Sequence, residues 1–156
     1  MTSPSTRPGA VECDARLLEH YRERLAGLLA ALDLSRVAEA IGVLRSVREQ
    51  GATILVAGNG GSAATASHMV TDLMFGRGLP EPGFRVVGLV DNQAVITATS
   101  NDVAYEQVFA RQVQRLARPG DVLVLISASG NSPSVLEAAR TARGLGVSVI
   151  GLTGFD

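Results

Sequence analysis

Apolar and polar positions change their period several times along the chain, and each change predicts an element. Leu17, Leu18, Tyr21, Leu25, Leu28, Leu29 and Leu32 recur at helical spacing, with Arg22, Glu23 and Arg24 on the other side. A second amphipathic helix follows, capped by Asp33 or Ser35, striped by Val37, Ile41, Leu44 and Val47, and ending near Gly51. The helical period then stops. Thr53-Ile-Leu-Val-Ala57 is short, rich in branched residues and without alternation, the pattern of a strand buried on both faces. It runs directly into Gly58-Asn59-Gly60-Gly61-Ser62, whose glycines permit backbone angles closed to other residues, and then into a helix with Ser62 placed as its cap.

The alternation repeats further on. Gly76, Gly78, Pro80, Pro82 and Gly83 mark a loop, and Arg85–Val90 reads as a second strand. A small-residue helix is predicted over 92–99, with a turn at Ser100-Asn101-Asp102. Another helix carries Val108, Val113 and Leu116 and closes at Pro119-Gly120. Asp121–Ser127 is a third strand, leading into the loop Ser127-Ala128-Ser129-Gly130-Asn131-Ser132. Serine as N-cap with Pro133 at the first helical position starts a helix over 133–144, and Val147–Thr153 is a fourth strand. Four buried-type strands alternating with helices predict a three-layer α/β/α fold with a doubly wound parallel sheet and right-handed crossovers, preceded by an N-terminal helical hairpin.

Composition narrows the class. The 156 residues suit one domain, and with 46% hydrophobic and 19% charged residues the chain is globular. Aromatics are only 4%, with no tryptophan, which favours helices packed on a parallel sheet over an aromatic-rich binding module. A net charge of −1 gives no basic field for nucleic acid or an anionic membrane. Cys13 stands alone, so no internal disulfide forms, and it reads as a free thiol. Neither a signal peptide nor an apolar run of ~18 residues is present, so the expectation is a soluble, cytoplasmic domain. Residues 1–10, with their prolines, serines and threonines, read as a disordered leader, and 11–51 as the helical hairpin. That hairpin either covers its own sheet or serves oligomerisation; the pattern leaves both open.

Candidate chemistry lies where the apolar pattern breaks. In parallel sheets ligands bind beyond the carboxyl ends of the strands, where the loops 58–62 and 127–132 both fall. Glycine N–H groups from one, and the hydroxyls of Ser127, Ser129 and Ser132 from the other, would surround a phosphate without lysine or arginine. The competing reading is that both are only tight turns and caps. His68 and Asp72, four residues apart, project from one side of a helix. That spacing suits two ligands of a divalent metal such as zinc, a general base, or a local ion pair, and by itself does not choose. His20 lies among charged neighbours on a solvated face and is assigned nothing. Gly58-Asn-Gly60-Gly-Ser-Ala63 also fits a loose dinucleotide fingerprint, with Asp91 as ribose acid. Asp91 is farther along than the ~20 residues of that motif, and the fingerprint does not call for a second serine loop.

Taken together, Gly58-Asn-Gly-Gly-Ser-Ala with His68 after it, Asn101-Asp102, and Ile126-Ser-Ala-Ser-Gly-Asn-Ser132 closely resemble the sugar isomerase (SIS) domain family. The nearest branch is the phosphoheptose isomerases, and the resemblance runs from about residue 14 to the end, with 52–156 as the phosphosugar-binding domain. It implies a homotetramer converting sedoheptulose 7-phosphate to D-glycero-D-manno-heptose 7-phosphate through an enediol. The alternative within the family is a non-catalytic phosphosugar-binding or regulatory protein-binding module. By resemblance, Asn59, Gly60, Gly61 and Ser62 line the sugar, and Ser127, Ala128, Ser129 and Ser132 hold the phosphate. Asn101 and Asp102 contact the substrate. His68 and Asp72 bind zinc and take part in catalysis, with Asp72 moving the proton. Three departures stand out. Asp72 replaces the usual glutamate, Ala128 the usual threonine, and the chain stops at Asp156 where the family continues with a strand and a helix supplying a glutamine and a histidine.

Overall fold

The computed structural model describes residues 8–76, 78 and 81–154, with side chains from Asp14 onward. Of the leader expected over 1–10, residues 1–7 lie outside the described residues and Pro8–Ala10 begin the first helix. The Cys13 side chain is likewise outside them. Two compact units divide the chain, Met1–Ala38 and Glu39–Asp156.

In the first unit, α1 spans Pro8–Ala30 and carries Leu17, Leu18, Tyr21, Leu25, Leu28 and Leu29 exposed to solvent. Helix α2, Leu34–Glu49, starts at Asp33, whose Oδ1 accepts the N–H groups of Ser35 and Arg36 at 3.0 and 3.3 Å and the Ser35 hydroxyl. That hydroxyl first, and then the two N–H groups, hold the Asp33 carboxyl below the usual carboxylate range. Asp33 is thus the cap and Ser35 its partner.

The second unit is built on four parallel strands in the order β2-β1-β3-β4: β1 Thr53–Gly58, β2 Arg85–Gly88, β3 Val122–Ser127 and β4 Ser148–Thr153. Strand period sorts the core into two faces. Ile54, Val56, Val122 and Val124 meet Val43, Leu44 and Val47 of α2 and Ala66, Met69 and Val70 of α3 (Gly61–Phe75). Leu55, Ala57, Leu123 and Leu125 meet Val113 of α5 (Ala110–Leu116) and Val135, Ala138 and Ala142 of α6 (Pro133–Gly144). Helices on both faces of a parallel sheet give the three-layer, doubly wound fold read from the sequence. The compact unit reaches back to Glu39, into the segment read as hairpin, because Val43, Leu44 and Val47 pack under β1 and β3.

Three boundaries differ from expectation. Strand β2 ends at Gly88 rather than Val90, and a turn follows. There the Asp91 carboxylate folds back over Gly88 and accepts the Ser67 hydroxyl at 2.7 Å, while Asn92 Oδ1 caps α4 through Val95 N–H. Helix α4 (Gln93–Asp102) runs through the turn expected at 100–102. Asn101 and Asp102 bond to each other at 2.8 Å instead of to local backbone, and the helix closes at Val103. The helix expected around 108–116 is a 3₁₀ turn, Tyr105–Gln107, followed by α5, with Val108 and Phe109 buried between them.

Asp121 joins the sheet at its base. Its Oδ1 accepts Thr53 N–H and its Oδ2 accepts Arg118 N–H, both at 2.7 Å, and only 6% of the residue is exposed. Asp121→Asn turns one acceptor into a donor facing a backbone donor. It is expected to cost about 1–3 kcal/mol, read as a lower urea midpoint with unchanged slope. An unchanged midpoint would mean water replaces the lost oxygen at that N–H group.

Candidate phosphosugar site

The chain turns from β1 to β2 on one side and crosses to β3 on the other, so the switch in strand order lies between β1 and β3. Their carboxyl ends are in register, Gly58 opposite Ile126. The loops 58–62 and 127–132 therefore leave the sheet side by side.

The first loop is shaped by close approach. A Cβ on Gly58 would stand 2.7 Å from Ile126 O and 2.8 Å from Ser62 O. Gly60 has φ 54°, a left-handed conformation that favours glycine. It is also the N-cap of α3, which begins at Gly61, so Ser62 lies inside the first turn and does not cap it. The turn is tight enough that the backbone caps itself, Asn59 O accepting the N–H groups of Ser62 and Ala63 at 2.9 and 3.3 Å. The N–H groups of Gly60 and Gly61 have no acceptor among the described residues.

In the second loop Ser127 Oγ accepts Gly130 N–H at 3.2 Å and Ser129 Oγ accepts Asn131 N–H at 3.3 Å. Ser132 is the N-cap of α6 and makes no side-chain cap bond. All three hydroxyls keep their own protons for a ligand. The N–H groups of Ala128, Ser129 and Ser132 have no acceptor among the described residues. Gly154 N–H donates to Ala128 O at 2.9 Å and ties this loop to the end of β4. Free N–H groups, three hydroxyls and the N-terminus of α6 form a donor-rich cradle for an anion.

Asn59 links the loops. Its Nδ2 donates to Ser134 Oγ at 2.9 Å, and its Oδ1 accepts the Tyr105 hydroxyl at 2.8 Å. Ser134 is buried in the first turn of α6. Sequence reasoning missed both partners, and the scarcity of tyrosine, two in the chain, was the only signal for Tyr105.

His68 and Asp72 stand farther along α3, with Nε2 and Oδ1 3.6 Å apart and side chains 77% and 69% exposed. That is an ion-pair distance rather than a hydrogen bond. Among the described residues no group of three or more His, Cys, Asp or Glu stands close enough to hold a metal ion. The pair offers two donors of suitable chemistry and is not a metal site by itself. Asn101 and Asp102 are exposed at the end of α4 and make no bond to either loop. Asp91, the acid of the dinucleotide alternative, is engaged by Ser67.

Comparison with known proteins agrees with this geometry. The profile described as SIS domain matches residues 20–154. The chain belongs to the SIS domain family. Among curated relatives of this SIS chain, the phosphoheptose isomerase of Thiobacillus denitrificans is 40% identical over 141 residues, covering 89% of this chain and 72% of that protein. That of Rhodospirillum rubrum is 48% identical over 122 residues, 76% of this chain and 63% of its own length. Against the one from Burkholderia pseudomallei strain 1710b the matched part is 53% of the relative, so the chain spans between half and three-quarters of these proteins. Solved SIS structures agree: phosphoheptose isomerase from Neisseria gonorrhoeae has a TM-score of 0.78 at 34% identity, covering 90% of this chain and 75% of that one. The one from Francisella tularensis reaches 0.83 at 30% identity, covering 92% and 75%. Among the described residues no helix is long and apolar enough to cross a membrane.

Proposed function

We propose that this chain is a phosphoheptose isomerase, interconverting sedoheptulose 7-phosphate and D-glycero-D-manno-heptose 7-phosphate. The observation that carries the reading is the paired cradle, loops 58–62 and 127–132 side by side with free N–H groups and hydroxyls, on a chain whose curated relatives bear that name. In this reading Ser127, Ser129 and Ser132, with the N–H of Ala128, bind the phosphate. Asn59, Gly60, Gly61 and Ser62 line the sugar, and Asn101 and Asp102 complete its contacts. Asp72 takes a proton from C1 of the ketose and returns it to C2 by way of an enediol, with the balancing proton passing from O1 to O2. His68 and Asp72 present an imidazole nitrogen and a carboxylate oxygen for zinc, with the other ligands from outside the described residues. Bound there, the metal would polarise the sugar carbonyl. The exposed leucines of α1 support a homo-oligomer, a tetramer in this reading. A phosphorylated substrate and the lone cysteine fit a cytoplasmic location.

A second reading, a phosphosugar-binding module without turnover, is favoured by one observation: Asp72 is largely exposed, with His68 its one ion-pair partner among the described residues. Proton NMR of sedoheptulose 7-phosphate in heavy water, with and without added zinc, separates the two. Deuterium entering next to the carbonyl as aldose appears is the expected result. Saturable binding with no exchange would replace the isomerase by the binding module.

Tyr105 and Ser134 orient Asn59, which makes them positioning residues in this reading. Tyr105→Phe is expected to weaken phosphosugar binding about 3- to 10-fold, the equivalent of one neutral hydrogen bond, with kcat little changed. An equal fall in kcat at constant KM would place the tyrosine's effect in the chemical step instead.

A further inference from the structure

Between α4 and α5, beside the end of β2, lies a cavity of about 570 Å³, within the range of small-molecule sites. Its lining is two-sided. Arg111 and Arg115 stand four residues apart on α5, so both guanidiniums leave the same face of the helix. Both are exposed, and neither side chain has an acidic partner or other acceptor among the described residues. Asp102 is the single carboxylate in the lining, and its Oδ1 already accepts Asn101 Nδ2–H. Two cationic groups against one anionic group leave a surplus of one positive charge.

The rest of the wall is mostly apolar, with Asn92, Thr99 and Gln112 as its other polar residues. Val95, Val103 and Leu116 flank the guanidiniums, and Val103 and Leu116 are exposed to about half their surface, 50% and 48%. Guanidiniums without partners beside bare branched side chains favour a ligand that is charged at one end and apolar at the other. A sugar phosphate suits this wall poorly. Most of its hydroxyls would face valine and leucine carbons, since Gln112 Nε2 already donates to Leu89 O and Val108 O and Asn92 Oδ1 already accepts Val95 N–H. A phosphate dianion also exceeds the surplus charge.

We propose that this cavity is a second binding site, for a small monocarboxylate with an apolar body. Its carboxylate lies across Arg111 and Arg115, a planar pairing that guanidinium groups favour, and its body rests on Val95, Val103 and Leu116. The inference goes beyond the isomerase reading and does not depend on it, because binding is measured without substrate.

The test is methyl and amide NMR of the full chain titrated with hexanoate, with hexanol and inorganic phosphate as comparison probes. Saturating shifts at Val95, Val103 and Leu116 are expected with hexanoate, at least tenfold tighter than with hexanol or phosphate. Arg111→Gln with Arg115→Gln should weaken hexanoate at least tenfold, and these exposed positions spare the core. Leu116→Asp, also at an exposed position, should exclude it. The proposal is overturned if no site saturates, if hexanol binds as well as hexanoate, if shifts confine themselves to the leucines of α1, or if the double variant binds unchanged. A cavity filled by a second copy of the chain would give no hexanoate response and would overturn it equally.

Discussion

Asp72→Asn is expected to lower kcat by roughly 10²–10⁴-fold while phosphosugar affinity stays within about threefold. The argument is chemical. An amide keeps the shape and the hydrogen-bonding reach of the carboxylate but takes up no proton near neutral pH. The proton moved between C1 and C2 then loses the carrier assigned to it. The side chain is 69% exposed and its neighbour His68 is 3.6 Å away, so the fold should not register the change. The thermal midpoint is the control. Asp72→Glu sharpens the test, because glutamate adds one methylene and carries the carboxylate farther from the helix. If reach limits proton transfer, Glu raises turnover while Asn removes it. Retention of deuterium exchange in Asp72→Asn would move the base elsewhere and end the role assigned to this residue.

The architecture was legible because the pattern of periods is physically direct. Strands buried on both faces leave unbroken apolar runs, and β1 and β3 are such runs, so their position and parallel order could be read off Thr53–Ala57 and Val122–Ser127. The paired loops were legible for the same reason, since Gly58–Ser62 and Ser127–Ser132 are where those runs break. What failed were local capping details. Ser62 has the chemistry of an N-cap, but the left-handed turn at Gly60 lets α3 start two residues earlier and puts the serine inside it. Ser100-Asn101-Asp102 has the composition of a turn, yet Asn101 and Asp102 pair with each other while the backbone stays helical. The contacts that orient Asn59 were out of reach because Tyr105 and Ser134 come from distant stretches of chain, and no spacing rule connects positions 59, 105 and 134. Residue spacing also could not decide what His68 and Asp72 do. Their geometry in one chain is that of an exposed pair, and the functional reading comes from the cradle and the family.

Gly58→Ala is expected to be the most damaging single-methyl change in the loop, for a reason visible in three distances. The added carbon would stand 2.7 Å from Ile126 O, 2.8 Å from Ser62 O and 2.9 Å from Ser62 C, all backbone atoms that no rotamer change can move. Either β3 slides away from β1 or the first turn of α3 unwinds, and both spread the two loops of the cradle. Overpacking of this kind costs about 1–3 kcal/mol or more, a drop in thermal midpoint of roughly 2–4 °C for each kcal/mol in a chain of this size. The neighbouring glycines supply the scale. Gly61→Ala meets nothing within 4 Å and has no positive φ, so it should be nearly silent in stability. Gly60→Ala also has open space, but its φ of 54° would cost about 1–2 kcal/mol for any residue with a Cβ. The expected order of stability loss is therefore Gly58→Ala, then Gly60→Ala, then Gly61→Ala. Phosphosugar binding should fall in parallel for Gly58→Ala, because the distance between Ile126 and Ser62 sets the separation of the loops. Gly58→Ala matching Gly61→Ala in midpoint and in binding would show that the two loops are free to part without cost, and the cradle would lose its claim to be preformed.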